Sequence, residues 1–211
     1  MLTLEEARNW YVDTDPVHDF SHIERVYRLS DRLARIEGAD LEIVHAAALL
    51  HDAEGTTPGS ETRLEHHLRS AEFAQKILAA ESWDQARIDA VKHCIRAHRY
   101  RDDREPPATI EAKCLFDADK LDVLGAIGAV RAVVYAALAG TPAYAEPSRQ
   151  FIETGKEIPG ESHSAYHEYL FKLRKVETRL FTQTARELAK ARREFLDDFF
   201  TQLIAEYNGE R

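Results

Sequence analysis

The segment Ala46-Ala47-Ala48-Leu49-Leu50-His51-Asp52 ends a run of small and apolar side chains in an adjacent imidazole and carboxylate. Burying either group without a partner costs on the order of several kcal/mol. A compensating partner is therefore required, and a bound metal ion is the simplest. Of ten histidines, eight fall before residue 100: His18, His22, His45, His51, His66, His67, His93 and His98. Imidazole nitrogens mixed with carboxylate oxygens suit Mn, Fe, Zn, Co or Ni better than a cation that prefers oxygen alone. The stretch Phe116-Asp117-Ala118-Asp119-Lys120-Leu121-Asp122 sets three acids and a lysine inside a largely apolar segment from Ile110 to Ala139. The candidate ligands are His22, His51, Asp52 and Asp119, with Asp122 near Asp119 on the same helical face.

Such ligands must project inward from several helices onto one point, and the chain reads as helical throughout, with no alternating strand. Thr3 and Glu6 predict a capping box for a first helix running through Val12. A turn, Asp13-Thr14-Asp15-Pro16, precedes a helix capped by Asp19 and ended by Gly38, with Ile23, Val26, Leu29, Leu33 and Ile36 at helical spacing. Asp40 caps the helix that carries His51 and Asp52. A polar loop over 53–62 leads to a helix from Arg63 to Ala80. Ser82 with Gln85 predicts a capping box for a helix to Ala97, followed by a charged loop from His98 to Ala108. Thr109 opens a long helical stretch to Ala139, with a bend near Asp117–Asp119. Residues 141–161 read as a long, functional or lid-like loop rich in Pro and Gly. Two closing helices cover 163–177 and 182–207. The expected architecture is all-α, a single-domain helical bundle over 1–211, with its core at about 18–140, the loop at 141–161 and C-terminal helices at about 162–208.

Composition narrows the function. The chain has 211 residues, 44% hydrophobic and 31% charged, an ordinary balance for a globular protein large enough to build a core without disulfides. The two cysteines, Cys94 and Cys114, form no metal-type pair and read as buried reduced thiols. A formal net charge of -9 with no long basic run argues against a nucleic-acid polymer as partner. A small phosphorylated ligand remains compatible if cations are concentrated locally or a metal supplies positive charge. No apolar run approaches the ~20 residues that span a bilayer, and the N-terminal residues lack a basic and apolar leader pattern. No membrane partner and a cytoplasmic location are expected.

The words around the candidate ligands are His18-Asp19-Phe20-Ser21-His22-Ile23-Glu24-Arg25-Val26, Ala47-Ala48-Leu49-Leu50-His51-Asp52 and Asp117-Ala118-Asp119-Lys120-Leu121-Asp122-Val123-Leu124-Gly125-Ala126-Ile127-Gly128. In that order they resemble the H…HD…D signature of the HD-domain metal-dependent phosphohydrolases, specifically their compact stand-alone bacterial branch. The closing segment, His167 to Leu173 and Ala185 to Arg193, looks like that branch too, so the resemblance covers nearly the whole chain.

The resemblance implies that His22, His51, Asp52 and Asp119 bind a divalent metal (Mn, Fe, Co, Ni, Zn or Mg, with Mn favoured for activity). The resemblance also allows a second metal, since some members of the superfamily use additional histidines between the HD pair and the last Asp. Here one of His66 and His67, with His93 or His98, would serve it or contact phosphate; spacing leaves the choice open. Metal-activated water would attack phosphorus, with Glu54 or Asp122 orienting or deprotonating it and Lys120 stabilising developing charge. Arg25, His67, His93, His98, Arg131 and Lys172 are the candidate substrate contacts. The expected activity is that of a phosphatase, phosphodiesterase or nucleotide pyrophosphohydrolase on a nucleotide or related metabolite. The alternatives are a non-catalytic module sensing nucleotide or metal, and a di-iron oxygenase of the same superfamily. His45 reads as a packed or partly exposed histidine, and His163 and His167 as surface or lid residues. Arg186, Lys190, Arg192 and Arg193 read as a solvated face, and Phe195, Phe199, Phe200 and Leu203 as core or the contact of a homodimer.

Overall fold

A computed structural model describes residues 2–11, 19–54, 64–99 and 105–211. Val12, the turn at 13–16, His18, Arg63 and most of the 53–62 loop lie outside the described residues. Within them the protein is all-α and of the HD-domain type, with no strand. The helices are α1 (Leu4–Arg8), α2 (Phe20–Glu37), α3 (Leu41–Leu50), α4 (His66–Ala80), α5 (Gln85–Ala97), α6 (Ile110–Leu121), α7 (Gly125–Leu138), α8 (Arg149–Thr154), α9 (Ala165–Phe171) and α10 (Gln183–Tyr207), with a 3-10 segment over Leu173–Arg179. No single helix among these is long and apolar enough to cross a membrane. Tertiary contacts divide the chain into two compact units, 1–120 with 180–185, and 121–179 with 186–211.

In the first unit α3 is the central element, packing against α1, α2, α4 and α5. Every residue from Ile43 to Leu50 is buried, as a helix that is apolar nearly all round must be. Asp40 caps its N-terminus by accepting from the Glu42 and Ile43 amides, and Arg87 of α5 holds the same carboxylate at 2.9 and 3.1 Å. The guanidinium of Arg87 accordingly keeps the Asp40 carboxyl below its usual range, against the smaller effect of burial. On α2, Ile23, Val26 and Leu33 face inward, while Ile36 is 58% exposed and lies off the core stripe. Gly38 ends that helix at φ 74°, a left-handed conformation that favours glycine.

Several local expectations are corrected. The cap of α5 is Asp84, accepting from the Arg87 amide, whereas Ser82 sits upstream at φ 60°. The stretch from Thr109 to Ala139 does not bend at Asp117–Asp119; it breaks at 122–124, between α6 and α7. Asp117 stays helical because its carboxylate accepts from the Phe181 amide and from both amide and hydroxyl of Thr182, so it does not compete for its own backbone. The break is shaped around Gly128, where an added Cβ would lie 2.2 Å from the Val123 carbonyl oxygen. The segment read as one helix over 163–177 is α9 followed by the 3-10 segment.

The second unit reverses another expectation. The 141–161 segment contains α8 and is pinned by Glu161. Its carboxylate accepts from the Ser148 amide (2.6 Å), the Ser148 hydroxyl (2.8 Å), the Ile158 amide (2.8 Å) and His167 Nε2 (3.1 Å). His167 is fully buried, not a surface residue, and forms a capping box with Ser164 at the start of α9.

Candidate metal centre

The ends of helices build the site. A helix leaves its last carbonyls without intrahelical partners, and two histidines of the first unit exploit this in the same way. His51 is the C-cap of α3, and its Nδ1–H donates to the Ala48 carbonyl at 2.9 Å. His98 is the C-cap of α5, and its Nδ1–H donates to the Ile95 carbonyl. Each bond to the carbonyl three residues back fixes the tautomer and leaves the Nε2 lone pair for another partner. One ring nitrogen of His51 thus closes the helix while the other faces Asp52.

Two groups of ligand atoms result. His22, His51 and Asp119 offer atoms all within 4.8 Å of one another, and so do Asp52, His66 and His98. His22 Nε2 lies 3.5 Å from Asp119 Oδ1. Asp52 faces both groups. Its Oδ2 is 4.0 Å from His22 Nε2 and 3.8 Å from His51 Nε2, whereas its Oδ1 is 3.5 Å from the Nε2 atoms of both His66 and His98. Those two Nε2 atoms are themselves 3.3 Å apart. His51 Nε2 and Asp52 Oδ1 are buried with no hydrogen-bond partner among the described residues. Buried polar atoms are rarely left so, and a cation in each group of ligand atoms would satisfy one of the two. The donor set fits a divalent metal.

Electrostatics point the same way. Burial pushes the His51 imidazole down to about 4, opposed by the charge of Asp52, so the ring is neutral with its lone pair available. Burial alone would raise the Asp52 carboxyl, but the facing His51, His98 and His66 outweigh it and hold it well below the usual range. At Asp119 burial is outweighed by the Lys120 ammonium and the facing histidines, and the carboxyl is lowered. Lys120 Nζ reaches Asp119 Oδ2 at 2.6 Å, which leaves Oδ1 directed toward His22.

The remaining sequence-derived candidates are distributed as follows. Arg25 is on α2, one turn beyond His22, and donates to the Ser21 hydroxyl at 2.7 Å. Glu54 has an exposed side chain, and its amide donates to Ser70 Oγ. His67 is buried on α4 with its ring 5.6 Å from that of His66, outside both groups of ligand atoms. His93 is also outside them: its Nδ1 bonds Glu105 Oε1 at 2.9 Å and its Nε2 accepts from the Ala108 amide. Arg96, three residues on, grips the same Glu105, so that face of α5 is structural. His66 and His98 are the pair that meets Asp52. The signal was present for His98, which ends a helix four residues after Cys94 as His51 ends α3; nothing in sequence separates His66 from His67. In the second unit Asp122 is 3% exposed and accepts from Arg131 at 2.8 Å, and Lys172 bonds Glu168 at 2.6 Å. His45 is bound to Asp31 at 2.8 Å.

An all-helical fold with an HD pair closing a buried helix defines a class, and comparison with known proteins identifies it. The HD domain family model matches residues 19–124, and the chain belongs to the HD-domain family. Among its relatives is the Bacillus subtilis protein YpgQ, 32% identical over 97% of this chain and 94% of that protein. The crystal structure of YpgQ in complex with ADP superposes with a TM-score of 0.74, at 31% identity and 97% coverage of both chains. A Lactobacillus plantarum protein has a TM-score of 0.72 and 26% identity, over 98% of this chain and 95% of its own. An HD-superfamily hydrolase from Bacillus thuringiensis shares the fold, with a TM-score of 0.70 at 24% identity over 97% of this chain and 96% of its own.

Proposed function

We propose that this protein is a metal-dependent phosphohydrolase acting on a nucleotide or a related small phosphorylated metabolite. The observation that carries the reading is the Asp52 carboxylate, whose two oxygens each face a separate pair of histidine nitrogens. His22, His51, Asp52 and Asp119 would hold one divalent ion; His66 and His98, sharing Asp52, would hold a second. A cation bound there supplies hydroxide at neutral pH and polarises a phosphoryl oxygen. Around it, Lys120 neutralises one Asp119 oxygen and so directs the other inward. Arg25 offers a planar cation for phosphate. Glu54 and Asp122, the latter held by Arg131, are the proposed candidates for orienting water. His67 and Lys172 are proposed contacts for substrate groups that extend past the ligand atoms, whereas His93, bonded through both ring nitrogens, is not. ADP in the complex of the related YpgQ supports a nucleotide as ligand.

A metal-supplemented panel of nucleotides and phosphate esters, with products identified by mass, tests this reading and names the bond cleaved. Turnover is expected with at least one divalent ion. Asp52→Ala is expected to abolish both metal uptake and product release, and full activity in that variant would overturn the assignment of Asp52. The paired histidine-rich groups also suit a di-iron oxygenase; iron content and oxygen uptake after aerobic and anaerobic purification separate the two chemistries.

A further inference from the structure

The family match begins at residue 19, yet the segment before it reaches the HD pair. Tyr11, just beyond α1, donates its phenolic hydroxyl to the Leu49 carbonyl at 2.9 Å. That carbonyl is among the last of α3, where no intrahelical partner exists. Its neighbours are taken as well: the Ala48 carbonyl by the His51 ring and the Leu50 carbonyl by the Ala53 amide. The turn that presents His51 and Asp52 is thus held at three successive carbonyls. One of the three is held from outside α3 and its continuation, by Tyr11.

The same short segment touches the other helices that supply ligand atoms. The Tyr11 ring packs 5.4 Å from Phe20, two residues before His22 on α2. Trp10 meets Phe73 of α4 edge-on at 5.8 Å, and α4 starts at His66. Ala7 of α1 is completely buried and Leu2 is 7% exposed, so the segment is anchored and not a loose tail.

We infer that Tyr11 is a positioning residue for the HD pair: its hydroxyl locks the end of α3 and thereby the direction in which His51 and Asp52 present their ligand atoms. The inference rests on the metal reading above. Removing the hydroxyl in Tyr11→Phe keeps the ring packing and frees the turn. Groups that orient metal ligands are worth about 10–100-fold in metal affinity. Loss of one hydrogen bond, in contrast, shifts unfolding by only about 2–4 °C in a domain of this size.

The test compares metal uptake of the full chain by calorimetry with thermal unfolding of the metal-free protein, for wild type, Tyr11→Phe and Asp84→Ala. Asp84→Ala removes the cap at the far end of α5 from His98, a loss of comparable worth to stability. Tyr11→Phe is expected to weaken Mn(II) binding at least about tenfold with a small unfolding shift, while Asp84→Ala destabilises without weakening it. Unchanged Mn(II) affinity in Tyr11→Phe, or an equal loss in Asp84→Ala, would overturn the positioning role while leaving the metal site standing. Wild-type protein that takes up none of Mn(II), Ni(II) or Zn(II) would overturn the metal reading and this inference together.

Discussion

His51 and His98 occupy equivalent places on different helices, and each uses one ring nitrogen to close its helix and the other to face Asp52. In the proposed two-metal site Asp52 is the residue shared by both positions, and His66 is the most specific test of the second. Metal content measured by mass spectrometry on the reconstituted protein is expected to fall from two ions per chain to one in His66→Ala, while Asp52→Ala loses both. Other buried residues have purely structural roles. Cys94 and Cys114 are both buried and free. Burial pushes the Cys114 thiol up to about 12, with nearby carboxylates adding to the effect, and raises Cys94 likewise. Since the thiolate is the reactive form, neither cysteine is expected to react with a thiol reagent at neutral pH until the protein is unfolded in denaturant, when two equivalents should titrate.

At the scale of elements, the end of α6 and the start of α7 carry the sharpest steric requirement. A Cβ at Gly128 would lie 2.2 Å from a backbone oxygen that cannot swing aside. Gly128→Ala is therefore expected to destabilise by about 1–3 kcal/mol, the usual range for overpacking, readable as a lower urea midpoint at unchanged slope. The sequence signalled the glycines but not this break. Acidic residues at Asp117 and Asp119 suggested a bend there, whereas each has a partner that lets the helix pass: Phe181 and Thr182 for Asp117, Lys120 for Asp119. Capping was legible where the cap lies next to its helix, at Thr3 and Asp40. It is ambiguous at Ser82, because Ser and Asp are both good caps and only the backbone angles choose Asp84.

At the scale of the molecule, acid stability follows from carboxylates held below their ordinary values. Glu161 is the clearest. Burial would raise it, but the Ser148 and Ile158 amides, the Ser148 hydroxyl and His167 outweigh that and bring it from 4.5 to about 2. Asp31, Asp40 and Glu105 are lowered too, each chiefly by a hydrogen-bonded arginine. A carboxylate with a folded value below its unfolded value contributes stability above the unfolded value and loses it as pH falls toward the folded one. Stability in denaturant titrations is thus expected to decline between about pH 4.5 and pH 2, with Glu161→Gln flattening part of that decline. The prolines and glycines of 141–161 suggest a long functional or lid-like loop, because composition does not reveal a carboxylate with four donors.

The sequence by itself determined the all-helical class and the helix that ends in the HD pair, because periodicity, small-residue runs and adjacent ionisable groups are local signals; the four residues in H…HD…D order followed from the resemblance of the surrounding words to the HD-domain family. Only the tertiary structure decided that His66 and His98, not His67 and His93, meet Asp52. That choice depends on which turn of α4 faces the end of α5, on Glu105 drawing His93 and Arg96 to another face, and on helix ends meeting across long separations in sequence. Tyr11 belongs to the same category. Nothing in the residues around it marks a partner at Leu49; a carbonyl left open at a helix end becomes a binding point only when packing brings a hydroxyl to it.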